Sequence, residues 1–298
     1  MEIQNPPQKL FRGWKQDLAD QIQGIYDQGF STGEVAKKLD INKLRVKHYL
    51  SIMGYEFSMS EGCKRRTKSV FNDVELSKEV LEIIEGNLLG DGSLTLQKNT
   101  SKPHLVPRSA VYSHATKSLA QIEWLKKLLV DNGLPVRDYV HLKKAHQEIY
   151  KNGPNAGTIA NYSDRYDFKS VSQPSIKILR EKWYKPHKIV PTDLKLTPLT
   201  LLHWYLGDGT LCRNKKPVSY SVKLYTYSFT YDEVFYLKKR LLFDLDLEST
   251  VLKRHMTDGQ YYIAIPSIND KNISHFFSLI GPCPPELITD YGHKWPNT

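Results

Sequence analysis

Leu89-Gly90-Asp91-Gly92-Ser93-Leu94 returns as Leu206-Gly207-Asp208-Gly209-Thr210-Leu211, identical at five of six positions, with serine or threonine at the sixth. The two aspartates stand 117 residues apart, which assigns one copy to each half of a duplicated domain. Each copy closes an apolar run with helical spacing. Val80, Leu81, Ile84, Leu88 and Leu89 recur at three- and four-residue intervals behind Ser77, a helix-capping residue type. Leu199, Leu202, Tyr205 and Leu206 follow Pro198, whose ring suits a first helical turn. Each Asp-Gly pair therefore falls where a helix should stop.

Gly86 and Gly90 lie one turn apart, and Gly207 matches Gly90. Glycine inside a helix costs about 1 kcal/mol, so a small-residue stripe implies another backbone at close range, and the other copy is the natural partner. Packed side by side, the two helices would bring Asp91 and Asp208 out together at their C-terminal ends, where the helix termini add negative charge of their own. A divalent cation relieves that repulsion. Mg²⁺ suits the pair, since it keeps several waters and takes one or two carboxylates plus substrate phosphates. There it could make a hydroxide nucleophile and stabilise the leaving oxygen of a phosphodiester. A plain turn explains one such copy well; two matched copies, each ending an apolar helix, favour chemistry.

At 298 residues the chain has room for two domains and a buried core. A net charge of +10 and a pI near 9.2 favour a polyanionic partner, and 18 tyrosines argue against a disordered basic tail. No stretch has the length or apolarity to cross a membrane, and Met1 to Leu10 lack a signal-peptide pattern, so an intracellular, cytoplasmic and nucleoid-associated protein is expected. Cys63, Cys212 and Cys283 are odd in number and far apart, which fits reduced thiols rather than disulfides or a zinc site. The histidines lack zinc spacing, no Gly-rich loop precedes a Lys-Ser/Thr pair, and neither Gly-Asp-Gly continues into a calcium loop. Zinc hydrolases, NTPases and ordinary kinases are thereby disfavoured.

The N-terminal quarter has its own pattern. A helix is expected over Trp14 to Gln28; Ser31 caps the next with Glu34 three residues on, turning Val35, Ala36 and Leu39 inward; Lys43 to Ile52 forms a third, lined by Val46 and Leu50. This resembles the helix-turn-helix of small bacterial DNA-binding domains, whose second helix enters the major groove and here would present Lys43, Arg45, Lys47 and His48. A helical bundle with a solvated basic face is the plainer alternative. The following Ser58 to Asp73 stretch contains Lys64, Arg65, Arg66 and Lys68, suited to phosphates or a minor groove, or simply a tether. The expected division is a helix-turn-helix-like domain over 1–57, a basic linker over 58–75, and two repeats over 76–184 and 185–298.

The stretches Ile84-Glu85-Gly86-Asn87-Leu88-Leu89-Gly90-Asp91-Gly92 and Leu201-Leu202-His203-Trp204-Tyr205-Leu206-Gly207-Asp208-Gly209 resemble the nine-residue motif of the LAGLIDADG homing endonucleases in their single-chain, two-motif form. His203 departs from the pattern, standing where the motif has its first glycine. Lys188-Ile189-Val190-Pro191 and Lys294-Trp295-Pro296 resemble the family's lysine-apolar-proline segments, so the likeness runs from Leu76 to Asn297. The resemblance implies Asp91 and Asp208 as catalytic metal ligands, Gly90 and Gly207 as further metal positions, and Lys188 and Lys294 as catalytic cations. The implied cofactor is Mg²⁺, with Mn²⁺ as a substitute. A lysine in each half would stabilise charge developing on a phosphate or polarise a water. The implied fold is α+β: two pseudo-symmetric αββαββα repeats with saddle-shaped antiparallel sheets over DNA, besides the small all-α N-terminal domain.

The sequence accommodates that plan twice. In the first half, Ser93–Gln97 and Ser109–His114 form a hairpin, Ser118–Asp131 a helix, Val136–Lys143 and Thr158–Val171 the other strands, and Pro174–Trp183 the closing helix. In the second, Thr210–Arg213 pairs with Val218–Phe229, Tyr231–Phe243 is helical, Ser249–Arg254 pairs with Gln260–Ile265, and Lys271–Ile280 closes. Ser221, Lys223, Tyr225 and Tyr227 share one strand face opposite Val222 and Leu224. Further groove or backbone candidates are Gln97, Lys98, Arg108, Tyr112, His114, Arg137, Lys143, Arg213, Lys215, Lys216 and Arg254. Ser113 and Tyr225 are the nearest matches to the polar strand residues with which the family organises active-site water. The activity implied is a monomeric, site-specific endonuclease that cuts both strands of double-stranded DNA and leaves four-base 3′ overhangs. The alternative is a non-cleaving nucleic-acid binder, either a regulator with a degenerate core or a maturase acting on intron RNA.

Overall fold

The computed structural model describes residues 14–28, 30–55, 74–97, 106–149, 157–215, 218–255, 259–266 and 271–296. Lys64, Arg65, Arg66, Lys68, Lys98 and Lys216 lie outside them, as does the side chain of Lys215. The chain divides into two compact units, residues 1–73 and 74–298.

The first unit contains α1 (Gln16–Asp27), α2 (Thr32–Lys38) and α3 (Lys43–Ile52). Ser31 and Glu34 form the expected capping box, each side chain accepting from the other residue's backbone N–H. Asn42 caps α3 by accepting from the N–H of Leu44 at 2.8 Å. Ala19, Ile22, Tyr26, Val35, Ala36, Val46, Tyr49 and Leu50 form one buried cluster, with Leu39 packed at its edge. Lys43, Arg45, Lys47 and His48 are left on the exposed face of α3.

The second unit repeats one plan. In the first half, α4 (Lys78–Leu89), β1 (Ser93–Leu96), β2 (Ala110–Thr116) and α5 (Leu119–Asp131) lead to β3 (His141–Lys143), β4 (His146–Ile149), β5 (Ile159–Tyr162), β6 (Arg165–Lys169) and α6 (Pro174–Trp183). The second half runs α7 (Pro198–Asp208), β7 (Gly209–Lys215), β8 (Val218–Tyr225), α8 (Tyr231–Leu245), β9 (Thr250–Lys253), β10 (Tyr261–Ile265) and α9 (Lys271–Ile280). Each half holds a four-stranded antiparallel sheet, in the orders β1-β2-β6-β3 and β7-β8-β10-β9. The matching orders bear out the duplicated αββαββα plan.

One difference separates the halves. The strands expected over Val136–Lys143 and Thr158–Val171 are interrupted, and β4 pairs with β5 as a separate two-stranded ribbon. All four residues of β4 are exposed. With neither face buried, His146-Gln147-Glu148-Ile149 carries no period-2 signal to mark it as a strand.

In the sheets the pleat decides which side chains reach the core. Leu94, Tyr112, His114 and Phe168 face the helices, as do Val222, Leu224, Ile263 and Ile265 in the second half. His114 and His203 are buried, and burial pulls their pKa values down to about 4 and about 3, His114 also opposing charge on His203. Neither ring nitrogen of His114 meets a hydrogen-bond partner among the described residues. Below pH 6.5 the unfolded chain protonates such rings while the folded core keeps them neutral, so stability is lost as pH falls from 6.5 towards those values. Between pH 7 and 4.5 the His114→Phe variant should therefore lose about 2–3 kcal/mol less stability than the wild type. Denaturant unfolding at the two pH values checks this, and equal losses would refute it.

Candidate active site and nucleic-acid interface

Ser77 caps α4 by accepting from Val80 N–H at 3.1 Å, and Thr197 caps α7 by accepting from Thr200 N–H at 3.1 Å, with Pro198 in its first turn. Both helices are apolar on most sides, because each packs against its own sheet and against the other helix. The crossing is close at Gly86: a Cβ there would lie 2.4 Å from the carbonyl oxygen of Thr200 and 2.8 Å from Cβ of His203. His203, at the equivalent place on α7, stacks on Trp124 with ring centroids 5.3 Å apart, and its Nδ1 is 3.4 Å from Asn87 Nδ2. One helix supplies the gap at the crossing and the other fills it.

One turn further on, the helix ends converge. A Cβ on Gly90 would lie 3.5 Å from Asp208 Oδ2, and one on Gly207 would lie 4.0 Å from Asp91 Oδ2. Asp91 keeps more of its surface exposed than the half-buried Asp208, but both carboxylates are crowded by the converging helix ends. Their crowded setting resists charge: burial raises Asp91 above the usual carboxylate range despite Lys188 and Lys294. Burial first, and then the charge of Asp91, pushes Asp208 up to about 6.

Two lysines answer these ends, one each. Lys188 Nζ donates to the carbonyl of Gly90 at 3.0 Å; Lys294 Nζ donates to Leu206 at 2.9 Å and Tyr205 at 3.3 Å. A cation at a helix C-terminus is favourably placed. Burial nevertheless lowers the pKa of Lys188 and pulls that of Lys294 down to about 8.

The segments carrying these lysines lean on opposite repeats. Residues 188–196 follow α6 of the first half but pack on α8: Val190 N–H donates to Glu233 at 2.9 Å, and Tyr236 donates to Thr192 at 2.7 Å. Residues 284–296 follow α9 of the second half, yet Tyr291 donates to Gln121 on α5 at 2.5 Å, and Ser118 donates to Asp290. Each lysine is thus fixed through both halves.

The sheet faces opposite the helices collect polar groups. In the second half Lys223, Tyr225 and Tyr262 share that face, with Tyr225 between Tyr227 at 5.3 Å and Tyr262 at 6.1 Å. Lys223 lies 5.4 Å from the Tyr262 ring and Arg254 4.8 Å from that of Tyr227. In the first half Ser93, Ser113, His141, Lys143, Arg165, Asp167 and Lys169 share the corresponding face. Lys143 is paired with Asp167 at 3.3 Å. Gln97 and Arg108 are exposed at the end of the first hairpin where its two strands are connected, and Arg137 donates to Tyr139 at 2.9 Å.

Several sequence expectations need correction. Tyr112 and His114 are 0% and 1% exposed and cannot reach a ligand from the core face. The pleat presents Ser113 and Ala115 instead, and Ala110-Val111-Tyr112-Ser113-His114 lacks the polar alternation that would have revealed it. Arg213 pairs with Tyr220 on the same side as Leu211 and Val222, away from Lys223, with its guanidinium 5.7 Å from the Tyr220 ring. Ser113 and Tyr225 are not equivalent: Ser113 pairs with Ser93, two residues after Asp91, while Lys223 pairs with Thr210, two after Asp208. Ser113 bonds Ser93 at 2.9 Å, and its counterpart is a cation. Arg165, Lys169, Tyr262 and His141 were missed, although the alternation of Tyr262 and Ala264 with Ile263 and Ile265 marks Tyr262 as outward.

No described helix is long and apolar enough to cross a membrane. A family model described as the LAGLIDADG DNA endonuclease family matches residues 81–273. An uncharacterized protein of Methanocaldococcus jannaschii is 28% identical over 208 residues, 70% of each chain. The cytochrome b mRNA maturase bI2 of Debaryomyces hansenii is 25% identical, over 69% of this chain and 72% of its own. Among solved structures, the homing endonuclease I-WcaI bound to its DNA recognition sequence is similar in fold, with a TM-score of 0.55 and 22% identity over 78% of this chain and 93% of that one.

Proposed function

The chain belongs to the LAGLIDADG DNA endonuclease family, and from that premise we propose that it is a site-specific DNA endonuclease making metal-dependent double-strand breaks, with one active centre at the paired helix ends. The observation that carries this reading is the convergence of Asp91 and Asp208, each at a helix end served by its own lysine. The donors are hard oxygens, and burial leaves both carboxylates short of compensating charge, which fits Mg²⁺ or Mn²⁺. Asp91 and Asp208, with Gly90 and Gly207 beside them, would hold the ion, which when bound supplies an acidified water and charge for a leaving oxygen.

The chain's own groups do the rest. Lys188 and Lys294 place a cation at each motif end, where charge develops on a scissile phosphate. Lys223, Arg254 and the tyrosines around them, with Arg165 and Lys169 of the first half, form the sheet faces that hold double-stranded DNA. Both acids lie on one chain, so a monomer suffices, and cutting across the minor groove leaves four-base 3′ overhangs. The helix-turn-helix reading of residues 1–57 makes α3, with Lys43, Arg45, Lys47 and His48, a second DNA contact.

A plasmid library carrying random inserts, incubated with Mg²⁺ or with EDTA, tests this. The expected result is linear product at recurring sequences with Mg²⁺ only. Specific binding without breakage would remove the nuclease reading and favour a second one, intron RNA binding, which the yeast maturase relative supports. Because the lysines serve different helix ends, Lys188→Met and Lys294→Met should unbalance the strands. Each should accumulate nicked circles, and in opposite strands. Equal slowing of both strands by both variants would contradict the one-lysine-per-end assignment.

A further inference from the structure

The ribbon that interrupts the duplication has no counterpart among the described residues of the second half. Ala115 of the first sheet corresponds to Tyr225 of the second, counting from the aligned aspartates, so their partners Asp167 and Tyr262 correspond, and with them His141 and Leu252. On that alignment Lys143 and Arg165 match Arg254 and Gln260, the last backbone-bonded pair of the second hairpin, where Arg254 N–H donates to the Gln260 carbonyl at 2.8 Å. Everything in β4 and β5 lies beyond that point.

The register does not slip across the interruption. His141 opposes Asp167 and His146 opposes Tyr162, five residues on in one strand and five back in the other. Side chains alternate with period two, so the row holding His141 and Lys143 continues through Gln147 and Ile149. The row holding Asp167 and Arg165 continues through Asn161 and Ile159. The polar face of the sheet thus extends outward, and its new members are matched pairs: Gln147 Nε2 donates to Asn161 Oδ1 at 2.8 Å, and Ile149 opposes Ile159, the two isoleucines 58% and 61% exposed.

We propose that this ribbon face reads A·T base pairs at the outer end of the half-site bound by the first repeat, making that half-site longer than the other. The proposal rests on the DNA-binding reading above. A two-stranded ribbon fits the major groove, Gln and Asn present amides matched to adenine N6 and N7, and an aliphatic side chain suits the thymine methyl. Four residues at about 3.3 Å each span roughly 13 Å, or about four base pairs. Among the described residues of β4 and β5 no lysine or arginine shares this face, so the ribbon's contribution is sequence preference rather than general affinity.

The test is selection from a randomised duplex DNA library in Ca²⁺ buffer, with wild type and with the Gln147→Ala/Asn161→Ala variant, unfolding temperatures being compared to confirm an intact fold. Wild type should enrich an asymmetric motif whose longer arm ends in A·T pairs. The variant should lose preference, by about tenfold or more, at those outer positions alone. Arms of equal length, or an unchanged motif in the variant, would overturn the ribbon's role while leaving the endonuclease reading intact. Failure of the wild type to enrich any motif would overturn both.

Discussion

Asp208→Asn should lower double-strand cutting by roughly 10³-fold or more while leaving DNA binding within a few-fold of wild type. The substitution keeps the size of the side chain and removes one of two carboxylates facing a common space. Asp208 is charged at neutral pH at a cost: its pKa of about 6 reflects burial and the neighbouring Asp91. Without it, nothing else nearby takes over, since no group of three or more acidic, histidine or cysteine side chains suited to a metal occurs among the described residues. The sheet-face cations proposed to meet phosphates are untouched, and loss of a negative charge near the DNA backbone would tighten binding. Quantifying linear product against bound fraction on the same selected duplex checks the separation.

Gly86→Ala should destabilise the second unit by about 3 kcal/mol, lowering its melting temperature by roughly 10 °C. The added methyl would sit 2.4 Å from a backbone oxygen, so one helix must move rather than one side chain rotate. The better helix propensity of alanine, about 1 kcal/mol, offsets only part of that cost. Gly207→Ala is the control. Its methyl would meet Asp91 N at 3.6 Å, an ordinary contact, and its stability should stay within about 1 kcal/mol of wild type. Thermal unfolding of the two variants side by side decides it, and similar losses in both would mean that the close approach at Gly86 does not govern the crossing.

Much of the centre was legible because its residues are constrained by spacing. A repeated Leu-Gly-Asp-Gly behind two apolar helices dictates where the acids emerge, and the lysine-apolar-proline segments stand in equivalent places relative to them. The closing helices were readable to the residue: Pro174–Trp183 and Lys271–Ile280 combine a clear apolar stripe with clear ends. The sheet faces were less legible. In β8, Val222 and Leu224 alternate with polar groups and the outward polar side follows at once. In β2, Tyr112 and His114 are polar residues turned inward, and the alternation reverses without a local sign. Strand β4 was illegible for a related reason, since all four of its residues are exposed and a strand buried on neither side has no period to detect, whereas β5, with Ala160 buried, falls within the strand expected over Thr158–Val171. Nor could any pattern show that each lysine segment would brace against the opposite repeat, because that contact joins residues about 45 to 170 positions apart.

Scoring nicked and linear plasmid separately for Asp91→Asn and Asp208→Asn tests most directly the central claim that the two acids form one centre. The account predicts that either substitution alone removes both products, down to the level seen with EDTA. Linear product from Asp208→Asn at the wild-type rate would contradict it.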